Sequence, residues 1–563
     1  MWLLSLACVE PVVREASYFP FPREELVVDG HVALDPLPAA VTPVPVERVS
    51  WRNGFSPVQT TVFELEALPT SLDDVHAWDM ATGEEWPVLV ELDAWPDNDE
   101  LPVLLVRPSK PYPVGTTILV AIGEGTGLSR PDWLQAIHDG VPVEGVDVDA
   151  TRQLMSLIRA FDVEPVQAVR FPIGDGTAPL RHLVEELTTP SSWTFDRVLE
   201  PSHAHTIAEG SFTTDTWLTD TGAFELDRYG LPVAQGQADE DLYVFIPDGL
   251  EGAEPGSVPV WIFGHGIFSE PSAYLGDEDD PNGLVALATE AGAIVIATTW
   301  RGMTRDDLVT PVAVGNDFGR IPELTDKLQQ GVANTLALSR MLAETDFLED
   351  EVFMGLPDAN TLRYYGISLG GIEGAVLLAN SDVLEFGVLH VGGASWSTML
   401  ERSSNWSTFE TLMEDAIPSP SERQLLYAAS QLFWDPIDPA LYAGDLSGRP
   451  ILWQESIGDE QVPNLTTRLL LEGVGVSLLA PAVDPWLSPS TGPLSGPAVA
   501  QFDPEVALPP ETNRPSPVTG AHGAPRHWAG QRAQTVRFLD PDDPGVVEHF
   551  CGDAPCSASN PGD

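Results

Sequence analysis

From residue 242 to about residue 540, short apolar runs rich in β-branched and aromatic residues alternate with longer windows of helical periodicity. The best helical windows are Leu324–Glu344 and Leu369–Asn380. This alternation predicts a mostly parallel sheet covered by helices, because parallel strands need crossover connections that are usually helical. We therefore predict an α/β domain over residues 242–540. The strand-like runs are Leu242–Ile246, Val258–Phe263, Ala293–Thr298, Leu362–Gly366, Gly387–Val391 and Ile451–Gln454.

The region before this domain has a different pattern. Between residues 18 and 130, short β-favouring runs are separated by Pro and Gly, with few helical periods between them. Regular short strands with turn residues between them predict a small antiparallel β-sandwich. Residues 131–241 mix helical and strand-like runs, and we predict a region that links the sandwich to the α/β domain. The β-favouring runs are Thr60–Leu65, Pro87–Leu92, Leu101–Val106 and Thr116–Ala121.

Two further segments depart from the alternation. Residues 397–445 carry helical, aromatic-containing stretches, which predict a cap over the edge of the sheet. Residues 541–563 are rich in Gly, Pro and Asp, and we expect a tail that is poorly ordered outside a cysteine loop. Cys551 and Cys556 lie close together in that loop, where a zinc site would need more ligands nearby. A disulfide is therefore favoured over free thiols.

The charge balance excludes several classes of protein. Asp and Glu number 85 against 27 Lys and Arg, which gives a formal net charge of −58. A surface of this sign repels phosphate backbones and anionic membrane surfaces, so nucleic acid is excluded as a partner. No apolar run approaches the roughly 20 residues of a membrane-spanning helix. The 43% content of hydrophobic residues allows a sizeable core, which excludes a mainly disordered chain.

Residues 1–17 begin with MWLLSLAC, in which Leu4, Leu6, Ala7 and Cys8 approximate the lipobox of a bacterial lipoprotein signal peptide. The apolar stretch is short and lacks a basic segment before it, so a plain N-terminal extension is the alternative. The pattern predicts an exported protein, either at the cell surface or extracellular or periplasmic. Cys8 is the candidate lipid anchor, and that anchor is the only predicted attachment to a membrane.

The sharpest chemical signal is YYGISLGG, the only G-x-S-x-G in the chain, with Ser368 at its centre. An apolar extended run precedes it and a helix of small residues follows. A reversal from strand to helix strains the serine backbone and exposes its hydroxyl. Gly366 and Gly370 fit this elbow because strand and helix nearly touch there. A glycine-rich turn without function is the alternative, which the flanking strand and helix disfavour.

A serine hydroxyl needs a base, an acid that orients the base, and donors for the oxyanion. On an elbow of this type the acid and then the base follow the serine in the chain. Asp459 follows the strand at Ile451–Gln454, with Glu455 and Glu460 as competing carboxylates.

Three histidines come later, His522, His527 and His549. His522 lies among Gly and Ala in a loop that can approach the serine closely. His527 follows Pro525 at a helix start, where the helix dipole disfavours a protonated ring. We therefore predict His522 as the base.

Upstream, a buried strand ends in FGHGIFSE. In this architecture the loop after such a strand supplies one oxyanion N–H and the residue after the nucleophile supplies the other. These are the backbone N–H groups of Ile267 and Leu369. His265 and Gly266 then belong to the supporting loop, and His265 is a structural residue because it precedes the serine.

Together these four segments resemble the α/β-hydrolase superfamily over about residues 242–539. The pairing of FGHGIFSE with GISLGG is similar to that in exported bacterial esterases and lipases. The stretches FPFPREELVVDG and RNGFSPVQTTVFELE resemble the N-terminal domain of virulence-factor-type surface lipases, and RPSKPYPVGTTILVAIGEG resembles an Ig-like strand pair. The resemblance implies an exported carboxylic-ester hydrolase with an Ig-like N-terminal domain.

Other patterns have simpler interpretations. His203 and His205 form an H-x-H without further ligands in sequence, and the acidic run at residues 276–283 does not match an EF-hand loop. We therefore predict no metal and no cofactor. Aromatic residues of the predicted cap either line an acyl pocket or belong to the core. These residues are Trp396, Trp406, Phe409, Phe433 and Trp434.

The sequence thus predicts a serine hydrolase in which Ser368 attacks a small-molecule or lipid ester. His522 transfers the proton and Asp459 orients the imidazole. Two alternatives remain, because the same residues on the same fold also cleave amides. One is a serine peptidase, and the other is a surface binding protein with an inactive hydrolase domain.

Overall fold

The computed structural model describes residues 12–13, 17–39, 41–95, 101–199, 205–250, 252–276 and 280–562. Within these ranges, its N-terminal part contains ten short strands, six of which form two three-stranded antiparallel sheets in the orders β4-β7-β6 and β10-β8-β5, while β1 pairs with β9 and β2 with β3. The strands are β1 (Val12–Val13), β2 (Val27–Val28), β3 (His31–Val32), β4 (Thr61–Glu64), β5 (Val75–Asp79), β6 (Val88–Leu92), β7 (Val103–Pro108), β8 (Thr117–Gly123), β9 (Val143–Glu144) and β10 (Pro165–Pro172).

One large twelve-stranded sheet occupies the rest of the chain. Its strands are β11 (Trp193–Leu199), β12 (His205–Thr216), β13 (Gly236–Pro247), β14 (Val258–Gly264), β15 (Ile294–Ala297), β16 (Pro357–Ile367), β17 (Gly387–His390), β18 (Ile451–Ser456), β19 (Ser477–Ala480), β20 (Ser490–Thr491), β21 (Ala498–Asp503) and β22 (Cys556–Ser557). The order is β11-β12-β13-β15-β14-β16-β17-β18-β21-β19-β20, with β22 beside β21. β11, β12 and β13 are antiparallel to their neighbours, and the strands from β15 to β21 are parallel. The predicted mostly parallel sheet is confirmed.

Helices connect these strands and cover both faces. They are α1 (Asp132–His138), α2 (Val148–Arg159), α3 (Ala178–Glu186), α4 (Ser272–Leu275), α5 (Leu284–Ala291), α6 (Val309–Asn316), α7 (Ile321–Glu344), α8 (Leu369–Asn380), α9 (Trp396–Leu400), α10 (Ser407–Ala416), α11 (Pro420–Trp434), α12 (Ala443–Leu446), α13 (Asn464–Val474) and α14 (Ala529–Leu539). α7 and α8 fill the two predicted helical windows. Within the described ranges, no helix has the length and apolarity needed to cross a membrane.

Side chains on the central strands point alternately into two apolar clusters. On β14, Val260 and Ile262 join the larger cluster, while Trp261 and Phe263 join the smaller one on the opposite face. The larger cluster continues into the N-terminal sheets and includes Phe63 of β4. Because both faces of the sheet are covered, its central strands read as continuous apolar runs.

Two predicted boundaries differ from the structure. Strand β10, from the predicted linking region, pairs with β8 across the boundary at residue 130. The large sheet begins at β11 and not at residue 242. β11 and β12 are rich in Thr, Ser and charged residues and partly exposed, so they lack the apolar runs that mark the central strands. The predicted Ig-like sandwich stays a prediction.

The C-terminal tail is packed onto the body of the protein. β22 pairs with β21, and Cys551 and Cys556 form a disulfide against Gly530 of α14. The expectation of a tail poorly ordered beyond the cysteine loop was wrong, because the N–H of Ala558 donates to the carbonyl of Asp503 and the carbonyl of Pro561 accepts the N–H of Gly530.

Candidate active site

Ser368 lies between β16 and α8 with φ 59° and ψ −114°, a conformation that L residues rarely adopt. Its N–H donates to the carbonyl of His390 at 2.9 Å, which ties the turn to the end of β17. Its own carbonyl accepts the N–H groups of Gly371 and Ile372 in the first turn of α8. The serine backbone is therefore fixed from both sides in a strained conformation.

The glycines around Ser368 are required by close backbone contacts. A Cβ on Gly370 would lie 2.0 Å from the carbonyl oxygen of Gly264, and one on Gly366 would lie 2.0 Å from that of Gly370. Neither position can carry a side chain without moving the backbone. The sequence argument that strand and helix nearly touch at this turn agrees with these distances.

The loop after β14 is built around His265. Its Nδ1–H donates to the carbonyl of Gly266 at 2.8 Å, and its Nε2 accepts the backbone N–H of Trp300 at 3.0 Å. Burial lowers the pKa of His265 to about 4, so the ring is neutral. The carbonyl of His265 accepts the N–H of Gly370, which joins this loop to α8. Tyr274, which the sequence did not single out, accepts the N–H of Gly266 at 3.1 Å.

The two predicted oxyanion donors lie beside the serine at one pocket. Ile267 and Leu369 line that pocket together with Ser368. Among the described residues, neither the N–H of Ile267 nor that of Leu369 donates to another protein group. Both N–H groups are therefore available to an oxygen at this position.

Asp459 and His522 are in direct contact. His522 Nδ1 lies 2.9 Å from Asp459 Oδ1 and 2.8 Å from Oδ2, and both side chains are buried. Asp459 Oδ1 also accepts the N–H groups of Gln461 and Val462, which fixes the carboxylate in its loop. With Nδ1 on the carboxylate, Nε2 is the ring nitrogen left for proton transfer.

The two competing carboxylates have other partners. Glu460 accepts the backbone N–H groups of Gly520 and His522 and the hydroxyl of Thr519, so it holds the histidine loop. Glu455 instead pairs with Arg468 and Gln501. Glu460 therefore supports the site through the backbone, a role that its sequence position alone did not indicate.

The remaining late histidines have different environments. His527 lies in a short 3₁₀ turn at Pro525–His527, and its ring contacts the region of Gly283. Burial and the charge of Arg526 lower the pKa of His527. His549 Nε2 lies 2.8 Å from the carbonyl of Ala554 in the tail.

His390, which the sequence analysis did not identify, contacts both the serine turn and strand β18. It is completely buried at the end of β17, its carbonyl accepts the N–H of Ser368, and its Nδ1–H donates to Gln454 Oε1 at 3.0 Å. Burial and the nearby charges of Arg526 and His522 lower its pKa to about 3. The backbone of His390 therefore holds Ser368, while its neutral ring lies within electrostatic reach of His522.

An apolar pocket of about 540 Å³, including its open mouth, lies at Ser368. Trp396, Trp406 and Phe409 of the predicted cap line it, whereas Phe433 and Trp434 are buried in the core. Its polar corner is a hydrogen bond from Asn405 Nδ2 to Gln461 Oε1 at 3.0 Å. The lining residues are Ile267, Phe268, Met303, Pro311, Ser368, Leu369, Ile372, Trp396, Met399, Leu400, Ser403, Asn405, Trp406, Phe409, Gln461 and Val462.

The remaining candidates from the sequence are the lipid anchor and the possible metal ligands. Cys8 and His203 lie outside the described residues. In the described part of the chain one trio of metal-ligating side chains comes together, His549 with Cys551 and Cys556, and both sulfurs are used in the disulfide.

Comparison with known proteins gives only distant likenesses. No family model matches the chain, and no curated protein matches it. Acetyl xylan esterase 1 from Thermoanaerobacterium sp. JW/SL YS485 is 15% identical with a TM-score of 0.37, over 53% of this chain and 84% of that one. An acylaminoacyl peptidase from Pyrococcus horikoshii is 14% identical with a TM-score of 0.28, over 64% of this chain and 51% of that one. Likenesses at these TM-scores assign neither a family nor a substrate.

Proposed function

We propose that this protein is a serine hydrolase of the α/β-hydrolase type that cleaves carboxylic esters. The observation that carries the proposal is the strained Ser368 elbow on the same sheet edge as the Asp459–His522 contact. The carboxyl ends of β16 and β18 meet at that edge, where open α/β sheets bind their ligands.

In the proposed reaction, Ser368 Oγ attacks the ester carbonyl while His522 Nε2 takes the hydroxyl proton. Asp459 stabilises the imidazolium, and the N–H groups of Ile267 and Leu369 hold the tetrahedral oxyanion. Collapse of this intermediate breaks the bond to the alcohol, which leaves with the proton from His522. Water, deprotonated by His522, then attacks the acyl-enzyme, and the carboxylic acid departs as Ser368 regains its proton.

The pocket beside Ser368 supports an ester with a compact apolar group. The space of about 540 Å³ includes open solvent at its mouth, and the enclosed part is far smaller, so it has room only for a small group. Its walls are almost entirely apolar, and Ser403 and the Asn405–Gln461 pair are the polar groups that line it besides Ser368. Long acyl chains would need a wider or longer groove than this one.

The test is labelling of the purified protein with a fluorophosphonate probe, with Ser368→Ala as the control. We expect labelling of the wild type and none of the variant. A parallel panel of p-nitrophenyl esters and aminoacyl p-nitroanilides then separates an esterase from a peptidase. A folded wild-type protein that neither reacts with the probe nor hydrolyses either panel would instead be a binding protein.

We also propose that the protein is exported and anchored through Cys8. The buried disulfide between Cys551 and Cys556 supports an oxidising compartment. The test is metabolic labelling of the full chain with an alkyne fatty acid in a bacterial host. Label on the wild type but not on Cys8→Ser supports the anchor, and equal label on both contradicts it.

A further inference from the structure

A buried group of charged residues, the Arg107 cluster, joins the N-terminal sheets to the pocket. It consists of Glu91 on β6, Arg107 on β7, and Glu401 and Arg402 directly after α9. All four are less than 10% exposed. Buried charges are costly unless they are paired, so the cluster holds its partners in fixed positions.

Arg107 is shared between the two regions. Its Nε donates to Glu91 Oε1 at 2.7 Å, and its Nη2 donates to Glu401. Its Nη1 donates to the hydroxyl of Thr398, inside α9, at 3.1 Å. Arg402 in turn lies 2.5 Å from both oxygens of Glu91. Four hydrogen bonds thus bind α9 and the residues after it to strands that lie 291 to 311 positions earlier.

The helix held in this way is a wall of the pocket. Trp396, Met399 and Leu400 of α9 line the space beside Ser368, as does Ser403. Thr398, which lies between them in sequence, accepts from Arg107 instead. α9 therefore lies between the Arg107 cluster and the pocket.

The cluster also reaches the segment that leads to His522. Arg402 Nη1 donates to the carbonyl of Thr512 at 2.7 Å, and Asn513 Nδ2 donates to Glu401 Oε2 at 3.0 Å. The N–H of Ser516 donates to the carbonyl of Arg402.

We propose that Arg107 is a positioning residue that sets the acyl selectivity of the pocket through α9. This inference rests on the proposed ester hydrolysis at Ser368. Removing the guanidinium leaves Glu401 and Glu91 buried without the partner that they share. The two carboxylates must then be hydrated, so either α9 shifts or water enters beside it. A wall that is no longer held then accepts longer acyl groups relative to short ones.

The experiment compares kcat/KM for p-nitrophenyl acetate, butyrate and octanoate in the wild type and in Arg107→Gln. We expect the octanoate-to-acetate ratio to rise about tenfold, the size of effect that pocket changes of one or two methylenes produce. Arg107→Lys keeps one charge and should restore part of the wild-type ratio. Thermal melting and the rate of fluorophosphonate labelling are measured on the same samples.

Arg48→Gln is the matched control. Arg48 also pairs a residue of the N-terminal region with a buried carboxylate, Asp326 of α7, at 2.6 Å. Neither residue lines the pocket at Ser368. We expect this variant to melt at a lower temperature with an unchanged acyl ratio.

An unchanged acyl ratio in folded Arg107→Gln overturns this inference and leaves the proposed function intact. If Arg107→Gln does not fold, Thr398→Val removes one acceptor from α9 without leaving a charge. A shift of its ratio in the same direction supports the inference, and an unchanged ratio overturns it. A wild-type protein without esterase activity overturns both the proposed function and the inference.

Discussion

Ser368 separates two regions that are held in place by different kinds of contact. On the reaction side, backbone hydrogen bonds fix the elbow, as between Ser368 and His390 or Gly370 and His265, and buried polar side chains bind the backbone of the loop after β14. On the pocket side, side chains do this work. Trp406 Nε1 donates to Tyr427 Oη at 3.0 Å, and the rings of Phe268 and Phe409 lie 6.1 Å apart.

This difference has consequences for substitutions in the two regions. A Cβ added at Gly366 or Gly370 would lie 2.0 Å from a backbone oxygen, so substitutions there must displace the backbone and should lower the rate strongly. Side-chain walls can repack, so changes on the pocket side should be graded and should alter selectivity more than rate. The predictions below test this contrast.

The largest effect is expected for His522, the proposed base. His522→Ala should lower kcat for ester hydrolysis by about three to six orders of magnitude, since no other ring is in contact with Asp459 among the described residues. His527→Ala is the control and should keep kcat within about threefold, because a surface substitution away from the reacting atoms costs little. Steady-state kinetics on p-nitrophenyl butyrate would measure both. Loss of activity in His527→Ala alone would move the base to His527.

A smaller but still large effect is expected from Gly370→Ala. The new Cβ would lie 2.0 Å from the carbonyl of Gly264, so the loop that carries Ile267 must move away from α8. We expect kcat to fall by about 10- to 1,000-fold, because such a displacement would misplace the N–H of Ile267, a proposed oxyanion donor. Gly444→Ala in α12, where nothing lies within 4 Å, is the matched control. Wild-type kcat in Gly370→Ala would contradict a rigid reaction side.

On the pocket side, Trp406→Ala should change selectivity more than rate. Removing the indole enlarges the space beside Ser368, so kcat/KM for octanoate should rise relative to acetate by about tenfold. Tyr427→Phe removes the acceptor of the indole N–H but keeps both rings, and we expect less than about a threefold change. An acyl-length series measures both variants. A loss of all activity in Trp406→Ala would show that Trp406 is required for the reaction itself and not only for selectivity.

The smallest expected effect concerns the stability of α10, which carries Phe409. Burial, with Glu414 and Glu401 nearby, raises the pKa of Glu410 to about 8. The folded state therefore keeps a proton that the unfolded state loses above its ordinary pKa of 4.5. Stability is highest below that value and falls as pH rises toward 8.

Glu410→Gln should remove this dependence. We expect the melting temperature of the variant, relative to the wild type, to rise by about 2 to 4 °C between pH 5 and pH 8. Glu414→Gln, on the same helix but more exposed, removes one of the charges that raise the pKa of Glu410 and should therefore weaken the dependence without abolishing it. Parallel melting curves for wild type and Glu410→Gln across this range would contradict a buried, protonated Glu410.

The central strands, the long helices and the elbow could be predicted from sequence because each depends on residues close together in the chain. The run before Ser368 is apolar since β16 is buried on both faces, and two glycines mark the close approach of β16 and α8. The order of Ser368, Asp459 and His522 also follows from the positions of local motifs. Asp459 was separable from Glu455 and Glu460 only by its place after a strand, and the structure gives each carboxylate different partners.

What the sequence determined by itself is therefore local: periodicity, turn residues and the chemistry of a strained serine. The tertiary structure alone decided which distant residues share a buried position. Arg107 lies 294 positions from Glu401, and Glu91 lies 311 positions from Arg402. The sequence around a charged residue in an acidic chain does not indicate whether that residue is buried, because burial depends on which strands and helices pack against it. The same holds for His390, whose position beneath the elbow follows from the pairing of β16 with β17.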